Sequence, residues 1–354
     1  MIGRVLLVLG SVLFGLLFLE VGCRAVRGTD SLLHWQNIVL EQRRAMAGNN
    51  IGARFDYDPL LGVVPTPGFA APDMSYDRNG FRNVPPTAGM SDGPPILATG
   101  DSYTLGDEVT DGESWPAVLQ GLTGRRTINA GVAAYGFDQT VLRTEQLAAR
   151  LKPAAIVVGF IADDLRRAEL SRAWGTEKPY FALKDGALEL RNVPVPPSPR
   201  PEDTLDFWQR TFGWSVLLDT VLIHQGLQYE WVVDHKRAVP AGTGERVACA
   251  LMPRLAKLGV PTLVVAQYDF YVWQNAEFGA EQRRASGVVL KCAEAAGLIP
   301  IDLYEKTASA IRAEGRDKVY RAWHPSPRGY RLIAEEIAAE LDRRHILPAH
   351  MPPR

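Results

Sequence analysis

Cysteine is scarce in this chain of 354 residues: there are three, Cys23, Cys249 and Cys292. None lies close enough to another for metal-ligand spacing, and an odd count gives no disulfide framework. All three are therefore expected to be free thiols. No His/Cys/carboxylate spacing falls on one helix and no glycine-rich phosphate loop occurs, so neither a metal nor an organic cofactor is implied. Charge of one sign is lacking too. The formal net charge is −1, from 39 basic and 40 acidic residues, and no Lys/Arg cluster interleaved with aromatics stands out. That excludes the electrostatic footprint of a nucleic-acid partner. What remains is an ordinary globular composition, 46% hydrophobic and 22% charged, enough for one large or two medium domains.

Long apolar runs are absent except at the start, where VLLVLGSVLFGLLFL occupies residues 5–19 behind Met1 and Arg4. Beyond Glu20 the apolar character resumes toward Val26. The uninterrupted part is shorter than the roughly 20 residues that span a bilayer comfortably, so a cleaved signal competes with an uncleaved anchor. No small-x-small cleavage site follows, and Glu20 ahead of Cys23 does not suit a lipid-attachment signal. The anchor is the favoured reading. Arg24 and Arg27 balance the positive end on the far side, leaving orientation undecided by flanking charge. A second apolar run, WSVLLDTVLI from Trp214 to Ile223, is too short for a span and contains Asp219.

Past this segment, short apolar runs alternate with helical periodicity. Strands are expected at Ile96 to Ala98, Thr127 to Val132, Ala154 to Phe160, Thr262 to Gln267 and Leu298 to Leu303. Helices are expected near Trp115 to Leu122, Asp138 to Leu151, Glu245 to Leu258 and Glu281 to Ala296. A final helix opens with Ser326 as cap and Pro327 at its first position, and carries Leu332, Ile333, Ile337 and Leu341 on one face. This is the alternation of an α/β fold with a five-stranded parallel sheet covered by helices on both faces. The stretch 166–244 reads as an insertion, with Trp174, Trp208, Trp214 and Trp231 and the extended VPVPPSPRPED. Its tryptophans are expected in the core. The division is then a membrane segment at 1–28, an extension at 29–93, and a main domain at 94–354 interrupted by that insertion.

In such a sheet chemistry collects where strands end and loops lead into helices. Ser102 stands there, in PPILATGDSYTLGDEV, and His324 stands in the loop before the final helix. A serine hydroxyl needs a base to take its proton and donors to hold the oxyanion. Residues so distant in sequence can meet across the sheet.

The order of segments is more specific than any one of them. An apolar strand, GDS, INAGV at a second strand end, VVVGFIADDL at a third and HPSPRGY before a terminal helix together resemble the SGNH or GDSL hydrolase superfamily. DRNGFRN (Asp77 to Asn83), GDSYTLGDEVTDGESWPAVL and NAGVAAYGFDQ are most similar to its membrane-anchored, extracytoplasmic branch. The resemblance implies a flavodoxin-like three-layer α/β/α sandwich and an esterase, lipase or carbohydrate acyl-modifying activity. It implies Ser102 as nucleophile and, through its own N–H, oxyanion donor, Gly131 as a second donor and His324 as general base. Asp101 would shape the turn. Two positions depart from the pattern. Asp163 stands where the family has a donating asparagine, and either caps the following helix or donates as a protonated acid. Arg321 stands where the family's Asp-x-x-His has its aspartate, which leaves a backbone carbonyl or a carboxylate from elsewhere, with Asp317 and Asp269 as candidates, to orient His324, or else a Ser-His dyad. Three functions follow: an ester hydrolase acting through an acyl-serine on acylated carbohydrate or a small ester, a polysaccharide O-acyltransferase using the same serine, or a carbohydrate-binding protein that has lost turnover.

Overall fold

The computed structural model describes residues 2–50 and 54–347. Five strands make the central sheet: β1 (Ser91–Thr99), β2 (Arg125–Asn129), β3 (Ala155–Phe160), β4 (Thr262–Ala266) and β5 (Ile299–Asp302). They lie in the order β5-β4-β3-β1-β2, every pair parallel. This is the doubly wound order of flavodoxin-like folds, with its topological switch between β1 and β3.

Period-2 alternation distributes the strand side chains over two layers. Ile96, Ala98, Ala155, Val157, Leu263 and Val265 pack on one face with Trp115 and Leu119 of the helix Trp115–Thr123 and with Tyr330, Ile333, Ile337 and Leu341 of the helix Pro327–Arg343. Leu97, Ile156, Val158 and Val264, equally buried, point to the other layer. Phe137–Leu151, Thr243–Ala256 and Ala276–Ala295 supply the remaining long helices of the sheet unit. Ser326 caps the terminal helix, its hydroxyl accepting from Gly329 N–H. Leu332 belongs elsewhere than its helix neighbours, in a cluster with Tyr103, Val319 and Tyr320 near the nucleophile turn.

Several expectations need correction. β1 begins at Ser91 rather than Ile96, because Ser91 pairs with Arg125 across a break in register and the exposed residues before Pro95 carry no apolar signature. The second strand ends at Asn129, and Ala130 to Val132 continue as a loop tied to β1 through Ala130 N–H to Ala98 O and Val132 N–H to Gly100 O. Cys249 and Cys292 are not free thiols but a disulfide. A sequence separation of 43 hides a pair that becomes adjacent only when Thr243–Ala256 and Ala276–Ala295 lie side by side. Cys23 is the free cysteine among the described residues.

The chain divides into two compact units, the smaller formed by Met1–Ile51, Trp174–Thr176 and Ser198–His235. Its leading helix runs from Ile2 to Arg27 and is long and apolar enough to cross a membrane. At 26 residues it measures about 39 Å, because the helix continues through Glu20 and Arg24 instead of stopping at them. Both charges are buried and satisfied. Glu20 accepts from Ser215 Oγ and from Val216 and Leu217 N–H, which caps the nine-residue helix Val216–His224. Arg24 bonds Glu20, Ser31 O and Trp214 O and lies over the Trp35 ring. Trp208 is an exposed member of an aromatic group with Phe207 and Phe212, contrary to the expectation of core packing.

Candidate active site

β1 ends in Thr99, and Gly100 turns the chain at φ 155°, where an added Cβ would meet Thr104 and Gly159. Glycine is required there by both backbone and space. Asp101 then caps a single helical turn, Ser102–Leu105, accepting from Tyr103 N–H at 2.9 Å. Ser102 is the first residue of that turn and its N–H has no acceptor among the described residues. The carboxylate of Asp101 is fully buried. Burial raises its pKa, against the pull of the Arg167 guanidinium, whose Nη1 stands 3.4 Å from it.

His324 is brought over this turn by the short loop between the helical turn Arg316–Val319 and the terminal helix. Its Nε2 lies 2.9 Å from Ser102 Oγ, across 222 positions of sequence. Tyr103 braces the loop from below: its hydroxyl donates to Trp323 O at 3.0 Å and its ring is 5.2 Å from the imidazole. Burial disfavours the imidazolium, but the Glu108 contact and the charges of Asp107, Glu108 and Asp101 outweigh it and raise the His324 pKa.

Neither aspartate proposed to orient His324 touches it. Asp317 is exposed and paired with Arg316. Asp269 caps the short helical turn Phe270–Trp273, accepting from Tyr271 N–H. Glu108 is the carboxylate beside the ring, with Oε1 3.3 Å from Nδ1, an ion-pair contact looser than an aligned hydrogen bond. Burial pushes the Glu108 pKa up, and the His324 ring and Trp323 N–H more than reverse that, holding it below the usual carboxylate range. Sequence reasoning passed over it because it is not near His324 in the chain.

The oxyanion assignments meet the structure unevenly. Gly131 lies against the nucleophile turn, where a Cβ would strike Leu105 N and Thr104 C, but its N–H is already donated to Asn129 Oδ1 at 3.1 Å. As folded, Gly131 provides clearance and Ser102 the free N–H. Asp163 lies in the turn Ala162–Arg167 and is bound by Arg166 Nε at 2.6 Å and Arg167 at 2.9 Å. Burial favours its acid form, yet Arg167 and Arg166 prevail and hold its pKa at about 2. An ionised carboxylate accepts and does not donate, so a protonated Asp163 donor does not fit this geometry. Nor is Asp163 the capping group; Asp164 Oδ2 receives the Ile161 N–H.

The DRNGFRN segment acquires a physical role. Arg82, fully buried, donates to Leu105 O at 2.8 Å, to Gly106 O, and to Val109 O at 2.5 Å, and its Nε meets Asp111 at 3.0 Å. One guanidinium thus satisfies the carbonyls of the loop that carries Ser102 and Glu108, which explains a buried charge at that place.

The arrangement as a whole is a hydroxyl hydrogen-bonded to an imidazole, itself against a carboxylate, at the switch point of a parallel sheet. Among the described residues no group of three or more His, Cys, Asp or Glu is placed to hold a metal ion. Several solved structures are similar at low identity. An alpha/beta hydrolase enzyme from the metagenome of Lake Arreo, Spain, shares 14% identity over 74% of this chain and 100% of its own, with a TM-score of 0.45. A catalytic mutant of an acetylxylan esterase from Geobacillus stearothermophilus shares 15% over 75% and 100%, at 0.44. A member of the lipolytic protein G-D-S-L family from Veillonella parvula shares 15% over 71% and 98%, at 0.40. No curated protein matches the chain. The family model for GDSL-like lipases and acylhydrolases matches residues 98–332, a span that starts at the end of β1 and takes in the Ser102 turn and the His324 loop. With more than half its length in that match, the chain belongs to the GDSL-like lipase/acylhydrolase family.

Proposed function

We propose that this protein is a serine ester hydrolase, anchored by its N-terminal helix and working outside the cytoplasm on acylated carbohydrate or another small ester. The observation that carries the chemistry is the 2.9 Å contact between Ser102 Oγ and His324 Nε2. His324 takes the hydroxyl proton as Ser102 attacks the ester carbonyl, and the Ser102 N–H holds the oxyanion. The alkoxide leaves with that proton, and water, activated by the same imidazole, resolves the acyl-serine.

Two features support the finer parts of this reading. Trp323 and Tyr271, 57% and 42% exposed, pair at 5.8 Å beside His324 and present aromatic faces on which a sugar ring can stack. The disulfide between Cys249 and Cys292 suits an oxidising compartment.

Fluorophosphonate labelling of the full chain in detergent, with the adduct located by mass spectrometry, tests the mechanism. An adduct on Ser102 that disappears in Ser102→Ala is expected; a folded protein that takes no label overturns it and leaves a carbohydrate-binding role. Supplying an oligosaccharide with an acetyl ester donor separates the outcomes further. Acetate released to water supports hydrolysis, and faster transfer to sugar makes the protein an O-acyltransferase.

A further inference from the structure

The family's histidine loop carries its own carboxylate three residues before the histidine, and this chain has Arg321 there. Arg321 forms a turn, its N–H donating to His324 O at 2.8 Å, while its side chain is exposed and its charge bears on Glu113. A lone Ser-His pair would leave the imidazole free to choose which nitrogen carries the proton. The choice matters: only the Nδ1–H tautomer offers Ser102 a lone pair at Nε2.

We propose that Glu108, from the loop that carries the nucleophile, replaces the missing aspartate as the positioning residue of His324, rigidly enough to set both its tautomer and its place. The inference rests on the hydrolase reading above. Both carboxylate oxygens are engaged. Oε1 stands 3.3 Å from Nδ1, and Oε2 accepts from the main-chain N–H groups of Trp323 at 3.2 Å and His324 at 3.4 Å. The same group therefore binds the backbone that bears the ring and sets a carboxylate oxygen against Nδ1.

The backbone of Glu108 supports the assignment. It sits at φ 67°, in the left-handed region that disfavours side chains, a conformation that persists only where the surroundings impose it. Arg82 imposes it by holding Gly106 O and Val109 O on either side. Tyr330 adds a bond to Asp107 O at 3.3 Å, and Arg54 pairs with the Asp107 carboxylate. The groups that bear on the imidazole are then Glu108, Asp107 and Asp101 from the nucleophile side, Asp269 from the loop after β4, and the Tyr103 ring. Of these Glu108 alone contacts Nδ1 among the described residues.

The test compares the full chain with Glu108→Gln and with Glu108→Gln/Arg321→Asp in detergent, using p-nitrophenyl acetate. Glutamine keeps an oxygen for the two N–H groups but can turn its NH2 toward Nδ1 and hold the wrong tautomer. The expected loss in kcat is about 10²- to 10⁴-fold with KM within about twofold, and the acidic limb of kcat/KM moves to lower pH because a carboxylate no longer favours imidazolium. Arg321→Asp, which returns a carboxylate to the family's position, is expected to recover at least about tenfold. A kcat within about threefold of wild type, or an unmoved limb, overturns the proposal. Should Glu108→Gln lose its cooperative melt, Glu108→Asp takes its place: an unmoved kcat there overturns the proposal, and a tenfold fall with the melt kept supports it. ¹⁵N NMR of His324 in the wild type gives a readout independent of turnover. The Nδ1–H tautomer at high pH is expected, and Nε2–H overturns the assignment. If wild type neither labels at Ser102 nor cleaves ester, the hydrolase reading fails while the tautomer still decides on Glu108.

Discussion

The two halves of the Ser102–His324 pair are held in different ways. The serine side is built locally and from beneath: glycine at the strand end, Asp101 capping the turn, Arg167 against Asp101 and Arg82 across three loop carbonyls. The histidine side is a loop suspended from others, through Tyr103 to Trp323 O, Glu108 to two N–H groups, and Ser326 into the terminal helix. A site made from one rigid and one suspended half concentrates its vulnerability. Errors in the first half propagate into folding, and errors in the second show first in turnover.

The largest expected effect tests whether both halves are needed at all. Ser102→Ala and His324→Ala should each lower ester kcat by on the order of 10⁴- to 10⁶-fold with melting unchanged, measured on the same preparations. A wild-type rate in either variant removes that residue from the mechanism. Arg82→Met should separate the halves by stability. It leaves the carbonyls of Gly106 and Val109 without their buried partner, while Leu105 O keeps Asn129 Nδ2, and is expected to cost roughly 3–5 kcal/mol in denaturant unfolding. A neutral result would show the serine loop to be held by its own turn.

Asp163→Asn probes the third-donor position by pH. The folded pKa of about 2 lies below the ordinary 3.8, so the pair with Arg166 and Arg167 stabilises above the unfolded value and is lost as pH falls through the folded one. The variant should lose about 2 kcal/mol at pH 7 and shed that deficit as pH falls from about 4 toward 2, read from chemical denaturation at each pH. A deficit constant across that range would assign the loss to packing. Ser326→Ala carries the smallest effect. Loss of the cap bond to Gly329 is expected to cost about 1 kcal/mol, with a modest fall in kcat as the histidine loop loosens.

Legibility from sequence followed the same division. All five sheet strands were readable, because buried strands print as short apolar runs, and Ser326 was readable as a cap because cap chemistry is local. Ser102 and His324 were readable as candidates through the resemblance, with no sign in the chain that they stand 2.9 Å apart. Asp317 and Asp269 were natural guesses for the missing acid and are bound elsewhere, while Glu108 sits in the nucleophile's own motif, passing as a loop charge. Cys249 and Cys292 failed for the same reason, being adjacent only once two helices are packed.

The sequence by itself determined the order of strands and helices, the apolar N-terminal helix, the turn that carries Ser102 and the cap that starts the last helix. Each follows from periodicity or from a side chain bonding within a few residues of itself. Only the tertiary structure decided which carboxylate faces the histidine, whether Asp163 is an acid or an ion, what Arg82 does with its charge, and which cysteines meet. Those outcomes depend on burial and on partners tens to hundreds of residues away, and the energy of a charge is set by what surrounds it.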